Sequence, residues 1–243
     1  MARYVAQSRE ELLALLRARP LLHEDELLEV DLGRVGLQRL EVRRSTLRNT
    51  NLAESSLPAS RWLESALKGA SWRKADLSEA IVEDCHLAGS DLIEVGLSAA
   101  RISSVRFEGC GLLNARLPAA VLANCEFDES DLYRADLSGA RLLHCFFRAR
   151  SLGGASLARV RMKGAILVDC DLKEANLREA ELEGTVFVSC DLRGANLSEA
   201  RLAGARLVAC NAEQANFTRA DLRGLAHAGT RFVHARTEGA LLG

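Results

Sequence analysis

The apolar residues of this chain keep a five-residue beat. Positions 32, 37, 42, 47 and every fifth residue up to 222 are Leu, Val, Ile, Met, Phe or Trp, with Ala212 the weakest member, and no insertion breaks the run. The residues two places earlier are nearly all small, as in Ala70, Ala75, Cys85, Ser90 and Ala135. The unit therefore reads small, polar, Leu, polar, polar-or-Gly, clearest in Ala75-Asp76-Leu77-Ser78-Glu79 and Ala195-Asn196-Leu197-Ser198-Glu199. Internal repetition at so short a period governs every other reading of the sequence.

Period five selects a shape by elimination. On an α-helix each step turns about 140° net, so the leucines would scatter round the cylinder instead of forming a stripe. On a flat strand an odd period sends successive leucines to opposite faces. The leucines all point inward only if the chain turns a corner once per repeat and winds into a solenoid whose coils pair as parallel β structure. Turn chemistry shares the phase. Of the 18 glycines, those at 69, 89, 109, 139, 154, 164, 184, 194, 204, 224, 229 and 239 fall two residues after the central apolar one, where a positive φ would favour them. Pro58 and Pro118 directly follow a central Leu, the early turn position that proline presets.

On these residues the chain resembles the pentapeptide-repeat family, whose motif runs A(D/N)LXX, over about residues 28–243. The resemblance implies an all-β fold: a right-handed quadrilateral parallel β-helix in which four repeats close one coil of 20 residues. Residues 20 apart should then stack, and at a strand spacing of roughly 4.8 Å some ten to eleven coils make a rod of roughly 50 Å. Phe107, Phe127 and Phe147 are expected in one column, with Phe187 two coils further on. Cys125 is expected on Cys145, and Cys170 on Cys190 and Cys210. Parallel Cβ directions suit a disulfide poorly, so the expectation is free, buried thiols.

The N-terminal segment, residues 1–27, departs from the pattern and is read as a helical cap. Ser8-Arg9-Glu10-Glu11 has the capping-box form, and Leu12, Leu13, Leu15 and Leu16 follow until Pro20, predicting a short α-helix at about 9–18. An open apolar end of a solenoid needs covering, and this helix can supply it; a docking helix for a partner is the sharper alternative. At the far end His227 and Thr237 spoil the beat and no closing helix follows. In the family, C-terminal coils meet head to head, which implies a homodimer through about 205–243.

With 48% hydrophobic and 27% charged residues, the chain can bury a continuous core, and no stretch is long and apolar enough for a membrane span. The odd number of cysteines, the lack of a CxxC pair and the lack of a leader pattern point to a reducing cytoplasm. Catalysis is not expected. His86 and His144 lie at outward positions beside inward Cys85 and Cys145, so neither pair forms a nucleophile and its base. Asp91, Asp131, Asp171 and Asp191 recur at multiples of 20, as a structural slot would require. There is no P-loop, dinucleotide fingerprint or HExxH, and neither metal nor cofactor is expected.

Function should then lie on the outer walls, and two departures from the pattern stand out. Arg150 occupies a slot reserved for small inward residues, where a buried guanidinium would be costly, so a bulge or an outward swing is expected. The second departure is an apolar surface: Phe146, Ile166 and Val186 in one outward column and Val168, Val188 and Val208 in another. Such a patch marks an interaction surface, or a face covered by the chain's own terminal segment.

The best-understood cytoplasmic members of the family this chain resembles bind DNA gyrase or topoisomerase IV and protect them from inhibitors as mimics of duplex DNA. A full mimic of about 50 Å would carry on the order of 30 negative charges, whereas this chain has 32 basic and 33 acidic residues, a net charge of −1. A column of Arg61, Arg101, Arg141, Arg161 and Arg201 even runs the other way. A protein-interaction scaffold fits best, with gyrase or topoisomerase IV as its most specific partner, giving antibiotic resistance or self-resistance. A scaffold, accessory or effector role in a type VI-like secretion system is the alternative. Direct nucleic-acid binding through the arginine column is weaker, because acids such as Glu41, Glu83, Asp84, Glu181 and Glu183 interleave with it. No small-molecule substrate is expected.

Overall fold

The computed structural model describes residues 8–242. Helix α1 (Arg9–Ala18) begins as its sequence predicts: the Ser8 side chain accepts from the Glu11 N–H at 3.2 Å, and Leu12, Leu13 and Leu16 are buried in the solenoid core. Three-residue strands follow in a parallel solenoid. One wall is a seven-stranded sheet of β1 (Leu21–His23), β3 (Glu41–Arg43), β5 (Arg61–Leu63), β7 (Ile81–Glu83), β9 (Arg101–Ser103), β11 (Val121–Ala123) and β13 (Arg141–Leu143). The next is a ten-stranded sheet of β2 (Glu26–Leu28), β4 (Thr46–Arg48), β6 (Ala66–Lys68), β8 (His86–Ala88), β10 (Arg106–Glu108), β12 (Glu126–Asp128), β14 (Phe146–Arg148), β15 (Ile166–Val168), β16 (Val186–Val188) and β17 (Arg206–Val208). The third and fourth walls pair through single-residue bridges such as Asp31↔Asn51 and Gly36↔Ser56.

Every pairing has a register of 20, from Leu21↔Glu41 to Asp221↔Leu241. The solenoid therefore starts at Leu21 and not at residue 28. Leu22 and Leu27 already keep the beat, although Asp25 replaces the small residue, and β1 and β2 pair with β3 and β4. The cap is α1 and the turn after it; residues 1–7 and Gly243 lie outside the described residues.

The inward leucines form one continuous core. Phe107 stacks on Phe127 at 4.7 Å and Phe127 on Phe147 at 4.8 Å, nearly parallel, because identical backbone sites are translated by one coil. Phe187 lies in the same column but pairs with Leu167 and Leu207. The glycines at the predicted corner positions all have positive φ, between 57° and 69°. Many other residues, such as Glu94 and Asn114, adopt the same left-handed conformation there. Their cost is offset by ladder bonds: the Glu94 N–H donates to the Leu113 carbonyl of the next coil at 2.9 Å.

The corners come in two forms. After the third and fourth walls the turn is tight: the N–H of the small inward residue donates to the carbonyl three residues back, as in Ala135 to Leu132 at 3.0 Å. With φ positive at the third residue, this has the features of a type II turn. Asp and Asn on these walls cap the turn in front, Asp131 Oδ1 accepting from the Tyr133 N–H at 3.0 Å and Asp91 Oδ1 from that of Ile93. Asp171 and Asp191 do the same, so the recurrent aspartates are structural.

After the two sheet walls the corner is wide and leaves that N–H without the local carbonyl. A side chain one coil on takes it: Asp25 N–H bonds Ser45 Oγ, Ser45 N–H bonds Ser65 Oγ, and Cys110 N–H bonds Ser130 Oγ. Cysteine does the same work, the backbone of Ser65 bonding the Cys85 sulfur and that of Ser90 the Cys110 sulfur. The same hydroxyls and thiols donate to carbonyls of the preceding coil, Ser130 to Phe107 at 3.1 Å and Cys85 to Trp62 at 3.4 Å.

Candidate functional site

The outward face of the ten-stranded sheet carries the apolar strip. Register pairs Phe146 with Ile166 and Ile166 with Val186, while Val168 pairs with Val188 and Val188 with Val208. Beneath them Phe147, Leu167, Phe187 and Leu207 are buried, so β14–β17 present apolar side chains on both faces. Ile166 is 42% exposed and the other five are half-buried; no described segment lies over them. Charges close both ends of the first column, with Glu126 one coil below Phe146 and Arg206 one coil above Val186. Each column spans roughly 10 Å along the axis, about the size of an interface's central cluster.

Arg150 borders this strip. It is not inward: its guanidinium is exposed and approaches Glu129 at 3.7 Å, while Ala149 takes the inward slot and is 2% exposed. Among the corner positions from Glu24 to Gly239, Ala149 alone lacks a positive φ. The Arg150 N–H takes over the bond to the Ser130 carbonyl at 3.0 Å, and Ser151 bridges to Asp131, so the shift is absorbed within one corner. The cause is desolvation, since turning Ala149 inward costs little and burying the Arg150 charge would cost much.

The seven cysteines are free and buried. Burial pushes the Cys85 and Cys110 thiols up to about 11. In the stacked sets, the hydrogen bond to Cys125 together with burial raises Cys145, and that to Cys170 raises Cys190. These are structural thiols bonded to carbonyls, such as Cys190 Sγ to Leu167 at 3.5 Å. His86 points away from Cys85 and contacts Glu108 Oε2 at 3.0 Å, and His144 sits at an outward corner with positive φ. Among the described residues no group of three His, Cys, Asp or Glu is placed to hold a metal, and no helix is long and apolar enough to cross a membrane.

Sequence reasoning missed some surface features. Leu143 on β13 is 39% exposed beside the arginine column, and Leu28 on β2 is 60% exposed near the N-terminal end. Both were in view as departures from polar outward positions. Among the described residues nothing covers the far end of the solenoid, where Leu225 and Phe232 are only partly buried and Leu242 is 75% exposed.

A parallel solenoid of five-residue units with an inward Leu column defines the class as a repeat protein. Residues 70–110 and 110–148 match the model of pentapeptide repeats, and residues 160–236 match that of the pentapeptide repeat region. The chain belongs to the pentapeptide repeat family. Among solved structures it is similar to HetL, a pentapeptide repeat protein involved in heterocyst differentiation regulation from Nostoc sp. strain PCC 7120, with 28% identity over 95% of each chain and a TM-score of 0.48. It is also similar to full-length QnrB1, a plasmid-mediated fluoroquinolone resistance protein, with 16% identity over 92% of this chain and 93% of the other, TM-score 0.31. A thylakoid-lumen pentapeptide repeat protein of Arabidopsis thaliana is 34% identical over 43% of this chain and 63% of its own, TM-score 0.25. No functionally curated protein matches the chain.

Proposed function

We propose that this protein is a non-catalytic binding module that engages a protein partner through the apolar strip on β14–β17. The observation that carries the reading is that Phe146, Ile166, Val186 and Val168, Val188, Val208 remain solvent-facing where outward positions elsewhere are mostly polar or charged. Water-exposed apolar columns with charged ends have the anatomy of an interface centre and rim. Because the coils repeat one backbone geometry and these side chains point outward, substitutions there spare the inward leucines. Ile166→Glu or Val188→Lys is expected to abolish capture of the partner while the β-rich circular dichroism stays intact. Unchanged capture by both variants would remove the reading.

DNA gyrase or topoisomerase IV is the most specific partner class for such a module. Mimicry of duplex DNA asks for unneutralised carboxylates in rows. Here many acids are bridged by bases one coil away, as in Arg34–Glu54 at 3.1 Å, Lys74–Glu94 at 3.8 Å and Arg159–Glu179 at 2.8 Å. Binding to a topoisomerase would therefore run through the apolar strip, and gyrase supercoiling assayed with wild-type protein and with Val188→Lys tests it directly.

A further inference from the structure

The seven-stranded sheet carries a second surface of opposite character. Arg61, Arg101 and Arg141 stand in one outward column, alternating with Ile81 and Val121. All three arginines are exposed, and none has a carboxylate within salt-bridge distance among the described residues. That sets them apart from the continuation of the column, where Arg161 pairs with Glu181 at 3.4 Å and Arg201 with Glu183 at 2.7 Å. Strands β5 to β13 of this wall hold one acid, Glu83 on β7, with Asp84 at the corner after it, against three guanidinium groups, and Glu41, one coil below Arg61, is paired with Arg43. The corner beside the column is lined by small residues, Ala59, Ala99, Ala119 and Gly139, with Glu79 the charged exception.

The spacing of the charges constrains what they fit. Arg61, Arg101 and Arg141 are separated by two coils each, or about 9.6 Å at a coil rise of about 4.8 Å. A polyproline II helix repeats every three residues and rises about 3.1 Å per residue, so every third side chain recurs on one side at about 9.3 Å. Over two intervals the mismatch is about 0.6 Å, well within the reach of an arginine side chain. An α-helix places comparable side chains seven residues apart, at about 10.5 Å, and drifts by about 1.8 Å over the same span. In an extended strand every third residue faces the other way. Phosphates of one nucleic-acid strand rise about 3.4 Å apart and wind away from a flat wall, and Ile81 and Val121 would lie against them without a partner.

We propose that this wall binds an extended acidic segment of a partner protein in the polyproline II conformation, running along the solenoid axis. Carboxylates at every third residue meet Arg61, Arg101 and Arg141, and intervening proline or aliphatic side chains rest on Ile81 and Val121. Forked Arg–carboxylate bonds supply orientation as well as attraction. The surface is separate from the apolar strip, so the two bind independently.

The test uses the full chain and labelled peptides in fluorescence anisotropy. A peptide of four Glu-Pro-Pro repeats is expected to bind at least tenfold more tightly than an isomer with its four glutamates clustered, and to weaken as salt rises. Arg101→Glu should lose at least tenfold of that affinity, and Arg61→Gln combined with Arg141→Gln should lose a similar amount with circular dichroism unchanged. Arg48→Glu on β4, which removes another arginine without an acidic partner on the neighbouring wall, should leave binding intact. The idea is overturned by equal affinity for the clustered isomer, or by insensitivity to Arg101→Glu. Tighter binding of a helical peptide with glutamates seven apart, or of a DNA oligonucleotide, overturns it as well.

Discussion

Removing the hydroxyl of Ser130 tests the account of the two corner types. Ser130 is fully buried; its Oγ accepts from the Cys110 N–H at 3.1 Å and donates to the Phe107 carbonyl at 3.1 Å. Ser130→Ala is a small change in volume, but it leaves the Cys110 N–H buried at a wide corner with no local carbonyl. An orphaned buried donor costs about 1–3 kcal/mol. In a chain of this size that corresponds to a fall in Tm of roughly 2–12 °C. Ser130→Cys keeps both bonds and repeats what Cys110 and Cys170 already do, so its loss should stay below about 1 kcal/mol. If burial of apolar atoms alone governed the site, Ala would be tolerated at least as well as Ser. The mirror substitution is Val105→Thr: Val105 offers no acceptor to the Cys85 N–H one coil earlier, and a hydroxyl there should stabilise by up to about 1 kcal/mol. Thermal unfolding gives the global effect. Hydrogen exchange gives the local one, with protection of the Cys110 amide falling about 5- to 150-fold in Ser130→Ala. A Ser130→Ala protein with wild-type Tm and an unchanged Cys110 amide would refute the scheme.

Acid sensitivity follows from the surface carboxylates. The hydrogen bond from Arg223 holds Asp221 at about 2, and those from Arg148 and Arg159 lower Asp128 and Glu179. Because these folded-state values lie below the unfolded ones, their contribution is complete above the usual carboxylate range and is lost as pH falls through the folded values. The urea midpoint should hold steady from about pH 8 to 5 and decline between about 4 and 2; a midpoint that is flat to pH 2 contradicts the assignment. The thiols give an independent check on burial. At pH 8 Cys85 and Cys110 should react negligibly with a thiol reagent in the native protein, whereas all seven cysteines become titratable once the chain is unfolded; rapid native labelling of Cys85 or Cys110 would contradict their burial and raised pKa.

The amino-acid sequence determined the five-residue beat, and with it the solenoid, the inward leucines, the phenylalanine stack and the burial of the thiols. It could do so because each is a consequence of local periodicity: a residue's side follows from its place in the unit. The start of α1 was legible in Ser8 and Glu11 for the same reason, the cap being a contact three residues long. The apolar strip was legible as outward valines. What a cysteine does was not. Whether a corner leaves its N–H unpaired depends on the turn closing locally, and the acceptor that completes a wide corner comes from a residue 20 positions on. Once the walls are distinguished, the chemistry lines up: Cys and Ser predominate at wide corners and Ala at tight ones. On the first wall, where the corner tightens after Cys145, Ala165 follows, its N–H bonding Met162 at 3.1 Å.

Tertiary structure likewise decided that Ala149 and not Arg150 points inward, since only the packed core sets the cost of each choice. It also decided which arginines are neutralised. Arg61, Arg101, Arg161 and Arg201 occupy the same place in the repeat, but a partner exists only where a neighbouring coil supplies a carboxylate within reach, as Glu181 does for Arg161 and Glu183 for Arg201. Period places a residue on a wall; the charges and donors that surround it are contributed by coils distant in sequence, and those contacts arise only when the chain has wound.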